Sequence, residues 1–322
     1  MSQPIVSYVI ASHNHETYIG QLLASIANQT FSDIEVIVVD DGSTDKTLKV
    51  AQQAAESDSR MSVYSQQNRG VVAARNSGVE RSSAMYISIV DSDEVLPLDR
   101  TEKMVRALEA TPGASLVYGD AEVIQLRNGT TSRFFRTYQP VPGPFSEALF
   151  CNYCFVPAGA VMFRRRALQR TGEFWGPGPN TDYLKWIELG MHGEAICLED
   201  EVLGSWVLHG QNVSQGSAVT RCAQYHALCG ALIDLTRKYP EFARKIGKRR
   251  QNHRYSRCYM MAGFYAGREY NWVLARRQFA IALSYELSCI NVALWLSTLP
   301  WINYCSRIAY HSAAKKFLRE IA

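Results

Sequence analysis

The chain has no apolar run long enough to span a bilayer: no stretch reaches the ~18 uncharged apolar residues such a helix needs. Its opening, MSQPIVSYVIASHN, has no basic segment leading into an apolar one, so no export signal is read there. The eight cysteines lack the spacing of a disulfide framework, and without export they are expected as reduced thiols in a cytoplasmic protein. Cys151 and Cys154 have C-x-x-C spacing but lack the second pair of a zinc site. Three N-x-S/T sequons, at Asn28, Asn128 and Asn212, are chance matches on the same ground. With 47% hydrophobic and 20% charged residues, the composition also excludes a disordered or fibrous chain.

Acidic residues are scarce in one region only. Residues 221–322 hold 17 Lys and Arg against 5 Asp and Glu, a net of +12, whereas residues 1–220 hold 17 against 25, a net of −8. An acidic body with a basic tail implies two tasks. Nucleic acid is a poor partner, because the acidic half would repel it and no reading motif is present.

Residues 5–120 alternate strand-like runs (5–11, 34–39, 61–65, 85–90, 115–118) with helix-like runs (18–28, 44–56, 71–81, 98–110). That alternation predicts an α/β fold with a mostly parallel sheet flanked by helices. The strand runs are rich in Val and Ile, as expected for strands buried on both faces. Ligands in such sheets bind at the carboxyl ends of strands. Polar clusters stand at three of those ends: Ser12-His13-Asn14, Asp40-Asp41-Gly42-Ser43 and Asp91-Ser92-Asp93. Residues 121–218 are less regular, and residues 220–322 are expected to be all-helical.

Each cluster has a plain structural reading beside a chemical one. Asp40-Asp41-Gly42-Ser43 makes a turn and helix cap, or places Asp41 against a pyrimidine N–H. Arg75 in NRGVVAARNSGV is a solvated helix residue, or a partner for a diphosphate. Asp91 and Asp93 are like charges one residue apart at a buried strand's end. A turn that solvates both would relieve them, and so would a divalent cation such as Mg²⁺ or Mn²⁺, which takes hard oxygen ligands.

The ordered series VSYVIASHN, VIVVDDGSTDKT, NRGVVAARNSGV and YISIVDSDEVL resembles the family 2 inverting glycosyltransferases, which have the GT-A fold, over roughly residues 4–216. The resemblance implies a GT-A domain at 1–219, with a nucleotide-sugar half (1–120) and an acceptor half (121–219); the helical pattern and charge of 220–322 make that stretch a separate helical basic extension. It implies that Ala11, Ser12, His13, Asn14, Asp41, Arg75, Asn76, Asp91 and Ser92 hold the donor nucleotide. Asp93 and Asp91 would carry the Mn²⁺ or Mg²⁺ ion, with Asp93 the direct ligand and Asp91 toward the sugar or ribose. The stretch NTDYLKWIELG is similar to the family pattern E-D-x-x-L-W-x-R, which makes Asp182 the catalytic base. WVLHGQNVS is similar to Y-R-x-H-x-x-N-x-S, which makes His209 a third metal ligand or diphosphate contact, with Asn212 and Ser214 beside it. Asp120 and Trp206 are expected on the acceptor side.

Several positions depart from the family pattern. Ala11 stands where Thr or Pro is common, His13 replaces a Tyr, Thr181 replaces an acidic residue, and Trp206-Val207 replaces Tyr-Arg. The implied activity is transfer of a sugar from a nucleoside-diphosphate sugar, UDP favoured, to a glycan or lipid-linked glycan in polysaccharide biosynthesis. A catalytically inactive nucleotide-sugar-binding scaffold is the main alternative. A nucleotidyltransferase is the lesser one, since residues 5–20 contain neither Lys nor Arg. The basic segment 244–257 and the apolar run 290–302 are expected either at the inner face of the cytoplasmic membrane or in a helical packing or homodimer surface.

Overall fold

The computed structural model describes residues 3–298 apart from 211 and 213–215. Ser214 and the basic residues Arg307, Lys315, Lys316 and Arg319 lie outside the described residues, as does the end of the 290–302 run. The chain divides into two compact units, Met1–Leu149 with Cys154–His209, and Phe150–Tyr153 with the chain from Gly210 onward.

The first unit opens with strict alternation: β1 (Val6–Ser12), α1 (Ile19–Ala27), β2 (Ile34–Asp40), α2 (Thr47–Ser57), β3 (Met61–Ser65), α3 (Val71–Arg81), β4 (Tyr86–Asp91) and α4 (Arg100–Ala110). The chain continues through β5 (Ala114–Gln125), β6 (Thr130–Arg133), α5 (Phe145–Cys151, whose last two residues belong to the second unit), β7 (Val161–Arg164), α6 (Arg165–Thr171), α7 (Thr181–Gly190) and β8 (Glu194–Leu208). The sheet order is β3-β2-β1-β4-β7-β5-β6, with β8 pairing β5. The pairs β1–β2, β1–β4, β2–β3 and β5–β8 are parallel, while β7 runs antiparallel to both its neighbours. The α/β sheet expected from the alternation is present.

Register brings the motifs to one edge. Ser12 pairs with Asp40 across β1–β2, and Ala11 pairs with Asp91 across β1–β4. Helices lie on the sheet by their apolar stripes: α1 buries Ile19, Leu22, Leu23 and Ile26, a helical spacing. Helix α3 comes closer than a side chain would allow. A Cβ on Gly78 would meet Val9 Cγ1 at 2.4 Å, so Gly78 sets the approach of the helix that carries Arg75. Arg100, wholly buried, donates to Tyr8 Oη at 2.9 Å, Ser88 Oγ at 2.9 Å and Gly159 O at 2.6 Å, stapling β1 and β4 to the segment before β7.

Among the described residues, the helices of the second unit are α8 (Ala218–Lys238), α9 (Pro240–Ile246), α10 (Lys248–Arg268), α11 (Trp272–Tyr285) and α12 (Cys289–Leu296). Cys222, Met261, Ala262, Tyr265, Ala266, Ala275 and Phe279 form a core there. Among the described residues, no helix is long and apolar enough to cross a membrane.

Candidate active site

Four loops meet at the carboxyl edge of the sheet, and each is held by side chains of another. Asn14 takes a left-handed conformation (φ 55°), receives the Thr44 N–H on Oδ1 at 2.8 Å, and donates its own N–H to Ser43 Oγ at 2.9 Å. His13 is exposed, with Nδ1 at 2.9 Å from the Asp41 carbonyl. The Asp41 carboxylate accepts from Gln66 Nε2 (2.8 Å), Arg69 N (2.9 Å) and Gly70 N (2.8 Å), so it organises the turn that starts α3. Ala11, between Val39 and Asp91 in the sheet, packs on the small cluster Ile37, Val39 and Ala74.

Arg75 is the centre of the site. It is buried, and its Nη2 donates to Asp91 Oδ1 at 2.7 Å while Nη1 donates to Thr181 Oγ1 at 2.8 Å and to Asp182 Oδ1. One guanidinium therefore joins the end of β4 to the start of α7. Burial works against its charge, but Asp182, Asp91 and Glu94 outweigh this and raise its pKa. Asn76, the next residue, uses both atoms of its amide on Phe174: Nδ2 donates to the carbonyl at 2.9 Å and Oδ1 accepts the N–H at 2.8 Å. Asn76, expected beside the nucleotide, ties α3 to the loop that leads into α7.

The D-S-D turn is asymmetric. The Asp91 side chain is 42% exposed and that of Asp93 only 15%. Asp93 Oδ2 lies 2.9 Å from His209 Nε2, and Ser92 Oγ lies 2.6 Å from His15 Nδ1. His209 stacks on Tyr18 with ring centroids 4.5 Å apart. Burial, then the Asp91 charge, raises the Asp93 pKa, with the His209 hydrogen bond opposing. Glu94 is pushed well up by burial and by repulsion from Asp91 and Asp93. Asp182 is pushed up to about 6, first by burial, with Arg75 opposing and Asp91 adding.

Asp120 and Trp206 lie on the paired strands β5 and β8. Asp120 is 3% exposed, and its oxygens take the Phe135 N–H at 2.8 Å and Arg133 Nε at 2.6 Å. Trp206 sits edge-on to Phe134 at 6.0 Å. Both were expected toward the acceptor. The contacts they make tie the β5–β8 ladder to the segment after β6.

Sequence reasoning did not single out His15, Tyr18, Glu94 or the Asn76–Phe174 clamp. His15 and Glu94 had a signal, since they continue the same polar runs as Asn14 and Asp93. The clamp had none, because its halves lie 98 residues apart.

Four buried polar atoms here have no hydrogen-bond partner: Ser12 Oγ, Asp40 Oδ1, Arg75 Nε and Glu94 Oε2. Each such group costs about 1–3 kcal/mol unless something satisfies it. Their concentration at the carboxyl edge marks a place prepared for a polar ligand.

The profile described as "Glycosyl transferase family 2" matches residues 7–172. The putative glycosyltransferase EpsH of Bacillus subtilis is 36% identical over 151 residues, 47% of this chain and 44% of that protein, so the match spans about half of its length. The putative teichuronic acid biosynthesis glycosyltransferase TuaG of the same organism is 29% identical over 66% of this chain and 82% of that protein. Among solved structures, the mannosyltransferase PcManGT of Pyrobaculum calidifontis, in complex with GDP-Man and Mn²⁺, covers 92% of this chain and 80% of its own at TM-score 0.59 and 20% identity. TarS 1–349 of S. aureus in complex with UDP-GlcNAc covers 92% of this chain and 79% of its own at TM-score 0.55 and 16% identity. These structural likenesses establish the GT-A fold. With the profile covering just over half of the sequence, the chain belongs to glycosyltransferase family 2.

Proposed function

We propose that this glycosyltransferase works with inversion, taking a sugar from a nucleoside-diphosphate donor, UDP favoured, to a glycan or lipid-linked glycan during polysaccharide synthesis. The observation that carries this reading is the Arg75 guanidinium, which holds Asp182 on one side and Asp91 on the other. It sets a base and a donor-side carboxylate a fixed distance apart. Inversion needs that arrangement, because the acceptor oxygen enters opposite the departing diphosphate.

Asp182 is the base. With its pKa about 6 it is ionised at neutral pH, yet more basic than an exposed aspartate. It takes the proton of the acceptor hydroxyl as that oxygen bonds to the anomeric carbon. The bond from that carbon to the diphosphate breaks, and the electron pair leaves with the nucleotide. Asp41, His13 and Ser12 border the nucleotide. The unpartnered Ser12 Oγ and Asp40 Oδ1 offer it hydrogen-bonding positions.

The residues present fit a divalent cation. Asp91, Asp93 and Glu94 crowd one turn; burial first, and then repulsion from the neighbouring carboxylates, raises both Asp93 and Glu94, and a bound cation would relieve that repulsion. Asp93 and Asp91 would hold Mn²⁺ or Mg²⁺, with His209 next to Asp93, and the ion would neutralise the leaving diphosphate. Among the described residues, no three His, Cys, Asp or Glu side chains form a closed metal cage. Diphosphate oxygens and water would complete the shell, as Mg²⁺ commonly requires.

The helical unit is the proposed membrane contact. Arg244, Lys245, Lys248, Arg249 and Arg250 are all exposed around the α9–α10 turn, and Ile290 and Leu296 expose apolar surface on α12. Together they suit the anionic inner face of a cytoplasmic membrane. Sedimentation with phosphatidylglycerol vesicles, lost in high salt, is the expected behaviour. Equal sedimentation with neutral vesicles would sink the electrostatic reading.

The donor reading is tested by thermal shift with UDP, GDP, dTDP and CMP, each with and without Mn²⁺. A metal-dependent rise for one nucleotide, lost in Asp93→Ala, is expected. No rise with any of them would overturn the donor-site assignment and leave a scaffold.

A further inference from the structure

Lys185 and Glu188 lie on α7 with both side chains wholly buried, and Lys185 Nζ is 2.6 Å from Glu188 Oε2. Removing two charges from water is costly, and a well-packed apolar pair would stabilise the fold as much or more. What an ion pair adds is direction.

Lys185 Nζ donates to the Gly172 carbonyl at 3.1 Å, the Glu173 carbonyl at 2.8 Å and Thr171 Oγ1 at 3.2 Å. The other Glu188 oxygen accepts the Trp175 indole N–H at 2.9 Å. Phe174 lies between them, its main chain held by Asn76 from α3, with the Lys185 ammonium 5.5 Å from its ring centre. Every residue from 171 to 175 is therefore fixed by one of three side chains. The segment is one that resists ordering: Gly172, Gly176 and Gly178 all take positive φ (78°, 104° and 52°).

This segment feeds directly into α7. Asp182 is the second residue of that helix, one turn ahead of Lys185. The neighbour of Asn76 on α3 is Arg75, which holds Asp182 itself. Set against the pattern E-D-x-x-L-W-x-R, α7 carries Lys at the Leu position and Glu at the Arg position. The two departures are the two halves of one pair, so each accounts for the other.

We propose that Lys185 and Glu188 are positioning residues for sugar transfer: the buried pair, with Asn76, brackets residues 171–175 and thereby sets where Asp182 stands relative to Arg75 and Asp91. The inference rests on reading Asp182 as the base.

The test compares the full chain with the double variant K185L/E188L and with K185R. Hydrogen exchange on the free protein reads the bracket, and release of UDP from UDP-GlcNAc, the probe donor, reads its consequence. The double variant is expected to melt within a few degrees of the parent, because the apolar pair packs without a desolvation cost. Exchange of amides 171–182 rises about tenfold while the sheet stays protected. Turnover falls by up to about 10²-fold with KM for UDP-GlcNAc unchanged, as expected for a misplaced catalytic group. K185R keeps both protection and turnover. Unchanged exchange at 171–182, or loss of protection throughout the chain with a collapsed melting temperature, would overturn the proposal. A parent protein that releases no UDP counts against the reading of the site, while exchange still decides the bracket.

Discussion

Asp182 and Asp91 share one guanidinium: Arg75 Nη2 reaches Asp91 at 2.7 Å while its Nη1 binds Asp182. Two carboxylates 91 residues apart in sequence are thereby brought to a common distance by a residue on a third element. Most of the expected behaviour of the site follows from that triangle.

Replacing Asp182 by Asn keeps the shape and removes the proposed base. Turnover is expected to fall by about 10²–10⁴-fold. The nucleotide-induced thermal shift should persist, because the proposed role puts Asp182 toward the acceptor. Loss of the shift together with turnover would show that Asp182 serves the donor.

Burial and Asp91 raise Asp182 to about 6, against an ordinary aspartate value of 3.8. Activity should therefore rise as pH passes through about 6 and level off above it. The stability effect has the opposite sign. Between 3.8 and about 6 the folded state holds a proton the unfolded chain has lost, so this group's contribution falls as pH rises through that window. Melting temperatures measured across it should decline less steeply for Asp182→Asn than for the parent.

Arg75→Met leaves Asp91 and Asp182 facing each other without a cation. Breaking a buried pair of this kind costs about 3–5 kcal/mol. Chemical denaturation should register that loss, with activity abolished. If stability is unchanged, the triangle is not a structural unit.

Asn76→Ala separates two uses of one amide. If the amide serves Phe174, turnover falls while the UDP dissociation constant stays within a factor of about two, a change worth under 1 kcal/mol. Weakened UDP binding with intact turnover would return Asn76 to the nucleotide.

Gly78→Val would drive a side chain into Val9, where even a Cβ lies 2.4 Å from Cγ1. Overpacking of this kind costs about 1–3 kcal/mol. Because α3 carries Arg75, a thermal shift with UDP should weaken along with the melting temperature. A variant of normal stability would mean α3 can retreat from the sheet at little cost.

The first half of the fold was readable because its signals are local. Buried parallel strands announce themselves as Val- and Ile-rich runs such as Ile34–Asp40, and the polar clusters follow at their ends. The second half was harder to read. Strand β6 is TTSR with every residue exposed, β7 is four residues long, and β8 spans fifteen with charges in its middle. Their pairing with β5 and β4 is set by long-range packing that no short window contains. The same holds within the site: the candidate residues could be named singly, but Arg75 reaching Asp182 and Asn76 reaching Phe174 depend on contacts across about a hundred positions.

The pairing of Ser12 with Asp40 and Ala11 with Asp91 makes the sheet a measuring gauge for the chemistry. Side chains alternate between faces along a strand, so a one-residue slip of β4 against β1 would turn Asp91 to the opposite face and carry the whole acidic turn with it. A single-residue deletion between Ile87 and Val90 is therefore a deletion of the site, although none of those residues has a chemical role. The exposed turn at Arg127–Gly129, between β5 and β6, has no such alignment to keep. Length variation in this chain should collect at tips of that kind, leaving the central strands fixed in residue count even where their side chains change.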